Sequence, residues 1–172
     1  MLIAIYLNDH LAGATGVREL ARRSASSNRG SRYGPFLEQL AREIDEDRNS
    51  LLEIMRALDV GSDPLKLLGG WWVEKLGRLK LNGHLLGYSP LSRVVELEAI
   101  ELGVNGKLCL WRTLEMLAPS DRSEIGRRLS DFDFKRLIGR AERQLGRLEK
   151  QRLAASREAF KSGRRPRRKP AR

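Results

Sequence analysis

Ser89–Ala118, SPLSRVVELEAIELGVNGKLCLWRTLEMLA, is the longest apolar-periodic stretch of this chain, and it constrains the fold more than any other. Ser-Pro at its start is a helix-initiation signal. A serine hydroxyl accepts from a free N–H of the first turn, and proline needs no N–H there. The inward seam reads Val94, Leu97, Glu101, Val104, Leu108, Trp111, with Pro119 just past the end. As one helix, its 30 residues span roughly 45 Å, long enough to be the staff of a helical bundle. Its weak point is Asn105-Gly106, where the staff either continues or breaks.

Helical periodicity recurs on both sides of it. The first helix is expected from Leu2 to about Arg23, through Ile3, Leu7, Leu11, Ala14, Val17 and Ala21. Gly13 and Gly16 sit on or beside that seam, which points to close approach of a neighbouring helix. SASSNRGS, Ser24–Ser31, reads as a polar loop. Gly34-Pro35 opens a second helix to about Leu58 through Leu37, Leu40, Ile44, Leu51 and Met55, leaving Asp47 or Arg48 at the seam position, with Gly61 as the stop. Asp63-Pro64 opens a third, shorter helix to about Leu79, and NGHLLGYSP connects it to the staff. After Pro119, Asp121 with Glu124 resembles a capping box for a short helical turn. A last long helix is expected from Ser130 or Asp131 through Leu137, Ile138, Ala141, Leu145, Leu148 and Ala155.

Two Asn-Gly pairs, in LKLNGHLL and VELEAIELGVNGKLCLW, also carry a hairpin signal. Helix-favouring Glu, Leu, Lys, Ala and Arg around them, and the recurring proline starts, decide for helix. The expected fold is therefore all-α: an antiparallel bundle of four long helices plus shorter ones over residues 1–160, and a disordered basic tail over 161–172. Cys109 is the single cysteine, which excludes an intrachain disulfide; between Leu108 and Leu110 it reads as a small core residue. MLIAIYL is too short to span a bilayer and no later stretch reaches 18 apolar residues, so a cytoplasmic protein is expected.

The net charge of +11 is unevenly placed. Residues 1–60 carry 8 Lys/Arg against 9 Asp/Glu, residues 61–118 carry 7 against 6, and residues 119–160 carry 11 against 7. The tail KSGRRPRRKPAR adds 7 basic groups and no acid, so the basic excess belongs mostly to it. A run with Arg164, Arg165, Arg167, Arg168 and Lys169 binds phosphates by counterion release with little sequence preference, so weak, nonspecific nucleic-acid affinity is expected of it. No helix-turn-helix, zinc finger or aromatic-basic platform accompanies it.

Four helices longer than 20 residues with a shorter one between the pairs resemble the ferritin-like superfamily at the level of architecture. That resemblance implies two helical hairpins joined by a crossover and, in metal-binding members, Glu-x-x-His on two helices. This chain has no Glu-x-x-His; its nearest forms are Glu43-x-x-Glu46 and Glu98-x-x-Glu101, so no ligand set carries over. From the residues alone, His10 borders the first seam, Asp47 the second, and Glu101 lies on the staff's inner face. Carboxylates with one imidazole suit iron or manganese, which makes these three the candidate metal ligands of an atypical or degenerate site.

No Gly-rich phosphate loop in a strand-to-helix context and no Gly-x-Ser-x-Gly elbow is present. Adjacent Trp71 and Trp72 cannot share one helix face, so one of them is the candidate contact with a partner or a second subunit. The residues thus point first to a non-enzymatic scaffold or interaction protein, and second to a carboxylate-metal protein of ferritin-like type.

Overall fold

The computed structural model describes residues 2–62, 88–118 and 123–161. The expected helix from Asp63 to Leu79 with Trp71 and Trp72, the Asp121 cap and the tail from residue 162, with Arg164, Arg165, Arg167, Arg168 and Lys169, lie outside the described residues. Five helices and no strand are described: α1 Leu2–Ser27, α2 Gly34–Ala57, α3 Pro90–Leu117, α4 Glu124–Leu129 and α5 Phe134–Lys161. The all-α class follows, and none of these helices is long and apolar enough to cross a membrane.

The staff is continuous: α3 runs unbroken through Asn105-Gly106. Its start is as expected, with Ser89 Oγ accepting from the Ser92 N–H at 3.0 Å and Pro90 in the first turn. Elsewhere the boundaries shift for local reasons. α1 runs on through Ser24 and Ala25, because both are buried and extend the seam; their small polar look in sequence hides this. The chain turns at Asn28, whose side chain donates to the Ser24 carbonyl at 2.8 Å. α2 ends before Gly61, because Asp59 takes the left-handed conformation at φ 55°. Val60 N–H then reaches Met55 O at 2.8 Å and Asp59 N–H reaches Arg56 O at 3.1 Å, the paired bonds of a Schellman ending built without glycine. Ser123 caps α4 by accepting from Gly126 N–H at 2.9 Å, and α5 starts after Asp133, whose carboxylate accepts from Arg136 N–H.

Side-chain pairings set the packing. Arg18 with Asp45 and Arg48 with Thr15 run α1 against α2 in opposite directions. Arg112 with Glu142 and Arg152 with Glu98 do the same for α3 and α5. Arg23 with Glu96 and Arg93 with Asn28 run α3 antiparallel to α1. The core between them is mainly aliphatic, with Leu7, Leu11, Leu40, Ile54, Leu97, Ile100 and Trp111 fully buried. Cys109 is exposed rather than buried, since it shares the outer face of α3 with Leu102 and Met116.

α1 and α3 approach each other closely at Gly103, where an added Cβ would overlap the Val17 side chain. Overpacking there costs about 1–3 kcal/mol, which exceeds the roughly 1 kcal/mol that alanine gains over glycine in a helix. Gly103→Ala should therefore lower the urea midpoint despite the better helix former, and adding Val17→Ala should restore part of the loss. A midpoint that rises in Gly103→Ala alone would contradict this packing.

Candidate functional site: a glycine-floored cavity beside a buried charge centre

At mid-bundle, α2, α3 and α5 bring together a set of charged and polar side chains that an apolar core would exclude. Asp47 of α2 is 2% exposed and Gln144 of α5 is fully buried. Between them lies the Lys107 ammonium of α3, donating to an Asp47 oxygen and, at 2.5 Å, to Gln144 Oε1. The Gln144 amide donates in turn to Asp47 Oδ2 at 3.1 Å and to Glu43 Oε2 at 3.2 Å. Arg140 pairs with Asp47 Oδ1 without the alignment of a hydrogen bond, and donates to Glu46 at 2.9 Å; Arg147 pairs with Glu43.

Burial weighs against the Lys107 ammonium and lowers its pKa, a pull that the adjacent Asp47 opposes. Burial alone would raise the Glu43 pKa, but hydrogen bonds from Arg147 and Gln144 hold it below the ordinary value. The centre is thus a closed set of mutually paired charges, with protein cations where a metal would otherwise balance the carboxylates.

Next to it, α1, α2 and α3 leave a cavity of about 390 Å³. Its floor is Gly13, Gly103 and Gly106, and a Cβ at Gly106 would meet nothing within 4 Å. Leu51 and Trp111 line it from the core, and Leu102, 71% exposed, stands at its edge. The charged part of the wall is Asp9, Asp47, Arg48 and Lys107; Asp47 and Lys107 hold each other, and Arg48 Nε donates to Thr15 Oγ1 at 3.1 Å. The fully buried Trp111 has an indole N–H with no acceptor among the described residues. Opposite, Tyr6 and His10 meet edge to face with ring centroids 4.6 Å apart. Burial pushes the His10 imidazole below its usual pKa, partly offset by Asp9.

The expected metal site does not assemble. His10 and Asp47 both line the cavity, but Glu101 is not part of its wall. Glu101 faces Arg152 of α5 at 3.6 Å, and burial together with Glu149 raises its pKa. Among the described residues no three His, Cys, Asp or Glu side chains are grouped to hold a metal ion. The buried acid of α3 is instead Glu96. It accepts from Tyr88 OH at 2.9 Å, and burial and that carboxylate push the tyrosine pKa up to about 12. Lys107 and Gln144 went unread in the sequence, although each sits three or four residues from buried neighbours. A polar residue at core spacing was the available signal.

No family model matches the chain, and neither a curated protein nor a solved structure matches it.

Removing one partner of a buried ion pair costs about 3–5 kcal/mol, because the remaining charges lose their counter-charge. Asp47→Ala should lose that much by urea denaturation, and Asp47→Ala with Lys107→Met should lose less than Asp47→Ala alone; equal or additive losses would mean the charges are not coupled.

A lowered folded-state pKa means that folded protein binds the His10 proton more weakly than the unfolded chain does. The stability from neutral His10 is therefore present above the ordinary value of 6.5 and is lost as pH falls below it. In His10→Phe the urea midpoint should fall less between pH 7.5 and pH 5 than in the parent (both being chosen assay conditions, roughly one unit either side of the ordinary histidine pKa). Parallel pH profiles would remove His10 from this account.

Proposed function

We propose that this chain is a non-enzymatic binding protein, a rigid helical bundle whose cavity between α1, α2 and α3 receives a compact, uncharged, mostly apolar group. The observation that carries the reading is that cavity itself, about 390 Å³ over a glycine floor, beside charges that already satisfy one another. Its volume lies within the range of small-molecule sites, which are mostly apolar with a few placed polar groups. A charged guest would have to compete with Asp47 and Lys107 for each other. A neutral one needs only to cover the apolar part of the wall, where Leu102 is 71% exposed. The polar side chains of the centre are engaged in holding α2, α3 and α5 together, which favours a binding role over a reaction at this place. The basic tail supplies, in the same reading, a weak and nonspecific affinity for nucleic acid.

Gly106→Leu adds a side chain at a lining position where a Cβ would meet nothing within 4 Å. With N-phenyl-1-naphthylamine as a neutral apolar probe, the parent should show saturable fluorescence enhancement, and Gly106→Leu should bind at least about tenfold more weakly, a loss of roughly 1.4 kcal/mol. Its urea midpoint should stay at or above that of the parent. Equal affinity in the two proteins, or no saturable binding in the parent, would overturn the reading.

A further inference from the structure

The outer face of α5 carries a second feature, remote from the cavity wall. Arg136, Arg143, Lys150 and Arg157 follow one another at intervals of seven residues, and all four are exposed. Seven residues fall about 20° short of two helical turns, so the four form a nearly straight row, with neighbours about 10.5 Å apart along the axis.

Nearby acids do not neutralise this row. On α5 itself, Glu142 pairs with Arg112, Glu149 with Arg152, and Glu158 with Arg32 and Arg93. On the neighbouring α2, Glu43, Glu46 and Asp47 are taken by the inner cations Arg147 and Arg140. None of the four outer side chains has an acid partner among the described residues. Past Arg157 the row meets a shallow recess of about 550 Å³, lined in part by Arg32 and Lys161.

We propose that this row is a docking rail for the phosphate backbone of duplex nucleic acid. The rail is about 31 Å long, and a duplex rises about 3.4 Å per base pair, so it spans roughly nine base pairs. A straight, rigid row suits a straight, rigid duplex, meeting phosphates of both strands where it crosses a groove. Single strands are held on aromatic stacking platforms, and no aromatic ring stands in the row. The apolar face of α5 is buried in the bundle through Leu137, Ala141, Leu148 and Ala155, and the large apolar residues it exposes, Leu153 and Phe160, stand seven residues apart and form no continuous apolar face to insert into a membrane. The rail is distinct from the basic tail, which needs no fixed geometry to attract phosphate.

The test uses the full-length protein with a fluorescein-labelled 20-base-pair DNA duplex (an arbitrary length of roughly two turns, longer than the rail), followed by anisotropy across a salt series. Arg136→Gln/Arg143→Gln/Lys150→Gln/Arg157→Gln should weaken binding at least about tenfold at low salt and lower the slope of log affinity against log salt by about 3–4, as expected for four released counterions. Arg164→Gln/Arg165→Gln/Arg167→Gln/Arg168→Gln/Lys169→Gln, which changes only the tail, should weaken binding while keeping the preference for duplex over a single strand of the same sequence. A duplex RNA of that sequence should bind comparably, since the rail reads backbone charge rather than bases. Unchanged circular-dichroism melting in both variants separates contact loss from unfolding. The proposal falls if the row variant binds duplex like the parent, or if it loses binding to phosphatidylserine vesicles while retaining the duplex.

Discussion

The bundle depends on one arrangement of charges: the Lys107 ammonium held between the Asp47 carboxylate and the Gln144 amide. It draws one group from each of three helices, α2, α3 and α5, and two of them, Asp47 and Gln144, are buried. Sliding any of these helices by one turn, about 5.4 Å, would separate the set and leave buried charge without a partner. Aliphatic side chains can repack in several registers, whereas a buried polar network accepts one. Of the long helices, α1 alone lies outside the network. It is placed by apolar packing, by Arg18 on Asp45, and by the close fit of Val17 over Gly103.

That close fit also explains why the cavity exists. Glycine at 103 lets α1 and α3 approach at one level, while glycines at 13 and 106 leave space beside it. Two helices held together at one point cannot close over a neighbouring gap lined by residues without side chains. The charge centre stiffens the opposite wall, because Lys107 and Asp47 hold each other rather than turning into the space. Cavity and centre are thus two consequences of one helix, α3, which supplies glycine on one face and lysine on the next.

α5 distributes its charge by depth. Leu137, Ala141 and Leu148 face the core, Arg140 and Arg147 reach across to the acids of α2, and the outer row meets solvent. The same residue type therefore serves two purposes according to where it falls on the helix. The inner arginines neutralise carboxylates that would otherwise repel one another, and this leaves the outer cations as net positive charge. At the far end of the bundle Arg93 lies over the Tyr33 ring at 4.4 Å and reaches Glu158 at 3.4 Å, closing the space between α2, α3 and α5.

Much of the fold was legible in the residues themselves. Period-3.6 apolar spacing, the Ser89-Pro90 start and the proline at α2 identify long helices, because those signals act through bonds within one segment. The α2 ending at Asp59 and the extension of α1 through Ser24 were not legible: one needs a left-handed aspartate, the other burial against helices distant in sequence. The choice of Glu96 over Glu101 as the buried acid of α3 has the same origin. The two lie five residues apart, about 140° around the helix, and only the positions of α1 and α5 decide which is covered. The ingredients of the candidate site are written into the chain: glycines at 13, 103 and 106, an acid at a core position of α2, and an arginine-rich last helix. That Asp47 meets a lysine and a glutamine rather than His10 and Glu101 is set by the packing of the helices. Pairing of side chains sixty and ninety-seven residues apart depends on helix rotation and register, which no local signal records.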